Sequence, residues 1–255
     1  MEQITLFKDH FSGRAGEYTR YRPGYPPSLF EWLAAQTIGH ETAWDCGCGN
    51  GQAAVALTPH YRQVLATDPS RQQIKQAAPH DRISYAVATA EESCLADDSI
   101  DLVVVAQALH WFDFERFYRE VRRVAKPGGV LAAISYGEVR MEGAPDNILS
   151  HFYHNIIGSF WPPERKYVDD GYKSIPFPLV LIEPPVFAME VEWNLKQLKG
   201  YLSTWSAVKE YELKIGKNPL DLIGWEMQSV WGNPELQRKV SWPLTLLVGR
   251  IGVLP

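Results

Sequence analysis

The segment Asp45-Cys46-Gly47-Cys48-Gly49-Asn50-Gly51 places three glycines at alternate positions between a strand-like run and a helix-like run. Glycine has no Cβ, so this segment can turn tightly and bring its backbone close to a ligand. A glycine loop between a strand and a helix predicts a ligand at the carboxyl edge of a parallel sheet, beside a helix N-terminus.

The spacing of these glycines excludes two common phosphate-binding loops. A dinucleotide-binding loop reads Gly-x-Gly-x-x-Gly, but Gln52 stands three residues after Gly49. A nucleoside-triphosphate loop ends in Gly-Lys-Ser/Thr, and the sequence contains no such triplet. The loop is therefore not shaped for a pyrophosphate.

Residues 42–136 alternate between short β-prone runs and helical patterns, which predicts a doubly wound α/β fold with a mostly parallel sheet. The run 102–106 is apolar without alternation, as in a central strand buried on both faces. Lys126-Pro127-Gly128-Gly129 is predicted to end one helix and begin the next strand. The predicted strands are 43–46, 63–67, 83–87, 100–106 and 130–135, and the predicted helices are 51–58, 70–78 and 113–125.

Two aspartates mark the predicted ligand edge. Asp68 ends the second strand, where a partly exposed carboxylate can accept both ribose hydroxyls of a nucleoside. The alternative is that Asp68 caps the next helix, although Ser70 could also do this. Asp45 precedes the glycines and would face a cationic group, such as the amino group or sulfonium of S-adenosylmethionine.

Taken in order, the glycine loop, Asp68 and three later segments resemble class I S-adenosylmethionine-dependent methyltransferases. The later segments are Ala90-Glu91, then 106–113 (Ala-Gln-Ala-Leu-His-Trp-Phe-Asp) and 123–129 (Arg-Val-Ala-Lys-Pro-Gly-Gly). Residues 18–26, 200–207 and 241–244 are similar to the subgroup that contains the trans-aconitate and cantharidin methyltransferases. The resemblance covers nearly the whole chain. It implies a seven-stranded sheet with its last strand antiparallel, an N-terminal cap and inserted C-terminal helices.

The resemblance also implies which residues hold S-adenosylmethionine as the cofactor. They form the glycine loop, supply its two acidic partners, and contact the adenine and the reacting end of the cofactor. These residues are Asp45, Gly47, Gly49, Gly51, Asp68, Pro69, Ala90, Glu91 and Gln107. No metal is expected.

The same resemblance implies residues for catalysis and for the methyl acceptor. His110 and Tyr18 are assigned to catalysis. For His110 the alternatives are a general base, which an ordinary histidine pKa would suit, and a packed side chain that holds its loop. Arg22, Tyr25 and Trp205 are assigned to the acceptor. Further tryptophans that could line the acceptor pocket or belong to the core are Trp161, Trp193 and Trp231.

The rest of the chain is predicted to complete one methyltransferase domain over 1–255. Its parts are an N-terminal cap (1–41), a cofactor-binding core (42–136), and the last strands with inserted substrate-lid helices (137–255). Ser28 is predicted to cap a short helix at 28–35. The later elements are predicted as helices at 145–158, 194–208 and 219–231 and strands at 186–193 and 240–251.

The amino-acid composition argues against several kinds of partner. Of 255 residues, 45% are hydrophobic and 22% are charged, as in an ordinary globular protein. A formal charge of −5, without a Lys/Arg cluster, argues against a nucleic-acid partner. With no apolar run suited to a signal peptide or a membrane span, we expect no membrane partner. The odd number of cysteines, 3, predicts reduced thiols and a cytoplasmic protein.

The expected function is methyl transfer from S-adenosylmethionine to a small molecule, at an oxygen of a carboxylate or a hydroxyl group. Transfer to nitrogen or carbon is the alternative within this class. Outside it, the alternatives are a non-catalytic S-adenosylmethionine-binding protein and a nicotinamide-linked oxidoreductase. Gln52 argues against the oxidoreductase, because the third fingerprint glycine is absent.

Overall fold

The computed structural model describes residues 23–252, so the predictions for Tyr18 and Arg22 lie outside the described residues. The helices are α1 (Pro27–Ala35), α2 (Gln52–Leu57), α3 (Arg71–Gln76), α4 (Phe114–Val124), α5 (Ala144–His151), α6 (Arg165–Asp169), α7 (Leu195–Leu202), α8 (Ser206–Ile215) and α9 (Asp221–Trp231). The strands are β1 (Thr42–Cys46), β2 (Gln63–Asp68), β3 (Ile83–Val87), β4 (Ile100–Ala106), β5 (Ala125–Tyr136), β6 (Arg140–Met141), β7 (Val180–Leu181), β8 (Ala188–Trp193) and β9 (Arg238–Arg250).

The sheet has the order β3-β2-β1-β4-β5-β9, and β8 pairs with the free edge of β9. Strands β1 to β5 are parallel to one another, whereas β9 runs antiparallel to both β5 and β8. These seven strands confirm the predicted fold. Two additional strands of two residues each, β6 and β7, also pair with β9 and were not predicted.

The central strands send alternate side chains to opposite faces of the sheet. Leu102 and Val104 pack in one cluster with α1 and α2, whereas Val103 and Val105 pack in another with α4 and α6. All four side chains are fully buried, as predicted for a central strand. Helices on both faces therefore fix the sheet, and the carboxyl ends of β1, β2 and β4 lie along one edge.

The glycine pair after α4 lies inside strand β5, and not between a helix and a strand as predicted. The pairing of β5 with β4 shifts register between Ile100 and Leu102, which makes room for the extra residues. A Cβ on Gly129 would lie 2.9 Å from the carbonyl oxygen of Lys126. Glycine is required at this irregularity because the backbone folds closely onto itself.

Three predicted helices differ in detail. Helix α1 begins at Pro27 after Pro26, and no side chain caps it, so Ser28 is not the cap. The helix predicted at 145–158 is regular only to His151 and continues as a π turn over Phe152–Ile156. The helix predicted at 194–208 breaks after Leu202.

Hydroxyl groups explain the break after Leu202. Ser203 Oγ donates to the Gly200 carbonyl at 2.8 Å, and Thr204 Oγ1 donates to the Tyr201 carbonyl at 2.6 Å. These hydroxyls compete with the backbone for the same carbonyls, so the helix ends and α8 starts in a new direction.

A third hydrophobic cluster forms beyond the end of β5. It joins Tyr136 to buried side chains of α5, α7, α9 and β8, including Trp205 and Trp231. The segment inserted between β5 and β9 therefore packs onto the carboxyl end of β5. Within residues 23–252, no helix combines the length and apolar character that a membrane span requires.

Candidate functional site

The glycine loop after β1 is held against the end of β2. Gly47, Gly49 and Gly51 have φ angles of 72°, 54° and 86°, in the left-handed region that favours glycine. The backbone N–H groups of Gly47 and Cys48 both donate to the Thr67 carbonyl, at 2.8 and 2.9 Å. The loop is thus fixed before any ligand binds.

The three glycines face different surroundings. A Cβ on Gly47 would lie 2.7 Å from Ala108 Cβ, and one on Gly51 would lie 2.9 Å from the Tyr85 ring. A Cβ on Gly49 would meet no described atom within 4 Å. Gly47 and Gly51 are therefore required by packing, whereas Gly49 borders an open space into which a side chain would project.

Asp68 is more buried than predicted, with 8% of its surface exposed. Its Oδ2 accepts a hydrogen bond from Gly49 N at 2.9 Å, and its Oδ1 accepts one from Ser70 N at 2.8 Å. A carboxylate offers about four lone-pair sites, so its place at the end of β2 is compatible with a ligand hydroxyl. The cap of α3 is Ser70, whose Oγ accepts from Gln73 N at 3.3 Å.

Asp45 is fully buried at the end of β1. Neither of its carboxylate oxygens has a hydrogen-bond partner among residues 23–252. The pKa of Asp45 is raised to about 7: burial is the main cause, the Asp68 charge adds to it, and the nearby Ala54 backbone N–H, whose geometry falls short of a hydrogen bond, partly offsets it. A buried carboxylate without a partner is costly, and a cation in the adjoining space would relieve that cost.

Four further residues assigned to the cofactor have structural partners or are at least half-buried. Glu91 Oε1 accepts from Asp113 N at 2.9 Å, which ties its segment to the start of α4. Gln107 adopts a φ of 55° directly after β4, and its Nε2 donates to the Tyr136 carbonyl at 2.6 Å. Ala90 is buried, and Pro69 is half-buried beside Asp68. These contacts hold the carboxyl ends of β3, β4 and β5 in place.

His110 lies in a 3₁₀ turn, Leu109–Trp111, just after β4. Its Nδ1 is 2.9 Å from Tyr172 Oη, and the ring lies 4.9 Å from that of Trp111. Burial, together with the positive charge of Arg165, lowers the pKa of His110 to about 3. The histidine is therefore neutral at physiological pH and is positioned by a tyrosine that sequence reasoning missed. No local pattern links two residues 62 positions apart.

The acceptor residues that the structure describes are both packed against aromatic rings. Tyr25 lies 6.4 Å from the ring of Tyr136 at the end of β5. Trp205 is 4% exposed and belongs to an aromatic cluster that we define as Phe152, Tyr153, Trp161, Tyr201 and Trp205. Trp193 and Trp231 are buried core residues.

Comparisons with known proteins identify the chain. A family described as "Methyltransferase domain" matches residues 44–133, from β1 into β5. A protein described as a methyltransferase in Dictyostelium discoideum is 32% identical over 206 residues, which are 79% of this chain and 78% of that protein. The chain is a class I S-adenosylmethionine-dependent methyltransferase.

Two further relatives are similar to the methyltransferase. A protein from Anaeromyxobacter dehalogenans, described as a type II methyltransferase, has a structure that superposes with a TM-score of 0.86 at 43% identity. That match covers 90% of this chain and 98% of the other. A Saccharomyces cerevisiae protein described as an S-adenosylmethionine-dependent methyltransferase is 25% identical over 63% of this chain and 57% of its own length.

The site fits S-adenosylmethionine, which is the cofactor of the methyltransferase. The fit rests on two features of residues 23–252: a Cβ on Gly49 would meet none of their atoms, and the buried carboxylate of Asp45 has no hydrogen-bond partner among them. The first admits a ligand close to the backbone, and the second suits a cationic group.

Proposed function

We propose that the methyltransferase transfers a methyl group to an oxygen of a small molecule, and that a carboxylate is the acceptor the site suits best. The observation that carries this proposal is the neutral, buried His110 beside the end of β4. A histidine with so low a pKa is a poor base for a phenol or an ammonium group. A carboxylate is ionised at neutral pH and needs no base.

We assign the cofactor to the carboxyl edge of the sheet. In this proposal Asp68 accepts the ribose hydroxyls, Asp45 pairs with the cationic amino-acid end, and Ala90 and Glu91 border the adenine with Pro69. The cofactor supplies a methyl group that its sulfonium already activates. The glycine loop, including Gly47, Gly49 and Gly51, orients the cofactor, and Gln107 fixes the end of β4 by its bond to the Tyr136 carbonyl. Orientation of the cofactor and the acceptor, together with exclusion of water, then accelerates methyl transfer.

His110 acts in this proposal as a positioning residue, through its bond to Tyr172. The segment inserted after β5 covers the acceptor, because its aromatic cluster belongs to the same core as Tyr136. The packing of Tyr25 on Tyr136 supports a cap formed by residues 1–41 in a single domain. Membership of the trans-aconitate and cantharidin subgroup is part of the same proposal, as are acceptor contacts from Arg22 and catalysis by Tyr18.

The chemistry of the methylated product tests the acceptor type. Purified enzyme is incubated with methyl-labelled S-adenosylmethionine and matched panels of carboxylic acids, phenols and amines. We expect label in a product that mild alkali hydrolyses to methanol, because a methyl ester is alkali-labile while aryl ethers and methylamines are stable. We also expect kcat to be flat between about pH 6 and pH 9, since no base must titrate.

An alkali-stable product would contradict the carboxylate proposal and indicate a different acceptor. A bell-shaped profile of kcat that His110→Gln removes would restore the general-base role. Binding of S-adenosylmethionine without transfer to any member of the panels would favour a non-catalytic protein.

Asp68→Ala tests the cofactor assignment. We expect the affinity for S-adenosylhomocysteine to fall about 100-fold or more, because two ribose hydroxyls and the Gly49 N–H lose a charged acceptor. The measurement is titration calorimetry, and Ser70→Ala is the matched control. That variant removes the α3 cap and should change the affinity by less than about three-fold. Equal affinity in Asp68→Ala and the wild type would remove Asp68 from the cofactor site.

A further inference from the structure

Helix α6, which begins at Arg165, lies beside the reacting edge of the sheet. It contacts the Leu109–Trp111 turn that follows β4. Tyr172, just beyond the helix, makes the bond to His110. Burial lowers the pKa of His110 and the positive charge of Arg165 lowers it further, whereas burial raises the pKa of Tyr172 and the same charge opposes that rise, which is consistent with a guanidinium close to both groups. The sequence did not single out Arg165, since no motif contains it.

The Arg165 side chain is held firmly by one of its nitrogens. Its Nε donates to Tyr153 Oη at 2.6 Å and lies 3.3 Å from Asp169 Oδ1. Its guanidinium carbon is 4.7 Å from the centre of the Trp161 ring and 5.4 Å from that of Tyr153. Stacking and the Nε bonds together fix the plane of the group.

The two terminal nitrogens of Arg165 are left for another partner. Among residues 23–252 they make no hydrogen bond or ion pair. The Arg165 side chain is 18% exposed, so it is mostly removed from water but can still be reached by a ligand. A fixed guanidinium whose two terminal nitrogens are available and partly removed from water is suited to bidentate binding of a carboxylate.

The surroundings of Arg165 indicate the shape of the ligand. Trp161 Nε1 is buried and has no hydrogen-bond partner among the described residues, so it is a further donor close to the guanidinium. The rings of Tyr153, Trp161 and Trp205 lie 5.0 to 5.6 Å from one another. Tyr153 and Trp205 are buried and support the half-buried Trp161, whose ring favours a flat apolar ligand body.

We propose that Arg165 anchors a carboxylate of the methyl acceptor, and that the acceptor carries an aromatic or other flat apolar body packed against Trp161. This inference rests on the proposed function and specifies its substrate class. The anchored carboxylate is distinct from the oxygen that is methylated, because pairing with a guanidinium withdraws electron density and weakens a nucleophile. The acceptor therefore has two oxygen groups, one for binding and one for reaction.

Binding of benzoate and benzamide tests the anchor. Both are titrated by ligand-observed NMR into the full-length protein saturated with S-adenosylhomocysteine. We expect the wild type to bind benzoate about ten-fold more tightly than benzamide. In Arg165→Met we expect this preference to disappear, with benzamide affinity changed by less than about two-fold. Trp161→Phe, which keeps a ring but loses the N–H, should weaken benzoate binding by about three-fold.

Arg119→Met is the matched control, because Arg119 is exposed on α4 and pairs only with Glu115 at 3.0 Å among the described residues. It should leave the preference for benzoate unchanged. A wild type that binds the two probes equally overturns the inference, whether or not the variants fold. Equal losses for benzoate and benzamide in Arg165→Met also overturn it, since they indicate a structural role. Failure to bind S-adenosylhomocysteine would instead contradict the proposed function.

Discussion

Gly49→Ala is expected to reduce the affinity for S-adenosylhomocysteine by about 100-fold or more while the protein remains folded. The new Cβ would meet no described atom within 4 Å, so it causes no clash in the unliganded fold. It would project into the space that we assign to the cofactor, where the backbone must approach closely. The φ of 54° adds a strain of about 1 kcal/mol for a residue with a Cβ.

Gly216→Ala separates these two effects. Gly216 follows α8 with a φ of 74°, and a Cβ there would also meet no described atom within 4 Å. The two variants should therefore lose similar free energy of unfolding, measured by denaturant titration. Calorimetry should find weakened cofactor binding in Gly49→Ala alone. If both variants bind S-adenosylhomocysteine like the wild type, the open space beside Gly49 is not the cofactor site.

Asp45→Asn is expected to weaken cofactor binding by about 100-fold and, at neutral pH, to stabilise the unliganded protein. The binding loss follows because a buried carboxylate would no longer pair with a cation. The gain in stability follows because burial raises the folded pKa of Asp45 from 3.8 to about 7. The ionised form is therefore disfavoured in the folded state, and an amide removes that cost.

The pH dependence of stability has a definite sign. Between pH 3.8 and about pH 7 the folded Asp45 holds a proton that the unfolded chain has released. The stability that the protonated Asp45 contributes to the folded state is therefore fully present below pH 3.8 and is lost as the pH rises through about 7. Its size is about 4 kcal/mol at most. Glu120, whose pKa is lowered to about 2 by its bond to Arg123, acts in the opposite direction at lower pH. The effect of Asp45 is therefore isolated only by the difference between the wild type and Asp45→Asn in the pH dependence of the free energy of unfolding.

The affinity for the cofactor should rise with pH, whereas the stability contributed by Asp45 falls. Because the cation requires an ionised Asp45, we expect the wild type to bind S-adenosylmethionine about ten-fold more tightly at pH 7.5 than at pH 6. Asp45→Asn should show a much smaller change over the same range. Calorimetry at the two pH values, in buffers of different ionisation enthalpy, would also detect the proton released on binding. An identical pH dependence in both proteins would exclude Asp45 as the titrating group.

The residues that we assign to the cofactor could be proposed from the sequence because their signals are local. Asp45, the glycines and Asp68 lie at the ends of β1 and β2, and parallel strands bring their carboxyl ends to one edge. The acceptor half was less predictable, because its contacts join distant parts of the inserted segment. The acceptor role of Trp205 stays a prediction, and Arg165 and Tyr172 carry no motif.

The sequence by itself determined the succession of the seven main strands and the glycine loop at one edge of the sheet, to which we assign the cofactor. Hydrophobic periodicity and the absence of a Cβ act within a few residues, so they can be read along the chain. Only the tertiary structure decided that His110 is neutral, that Asp68 is buried by the loop it supports, and that the terminal nitrogens of Arg165 have no partner within residues 23–252. Burial, pKa and charge pairing depend on neighbours that folding brings together from distant positions.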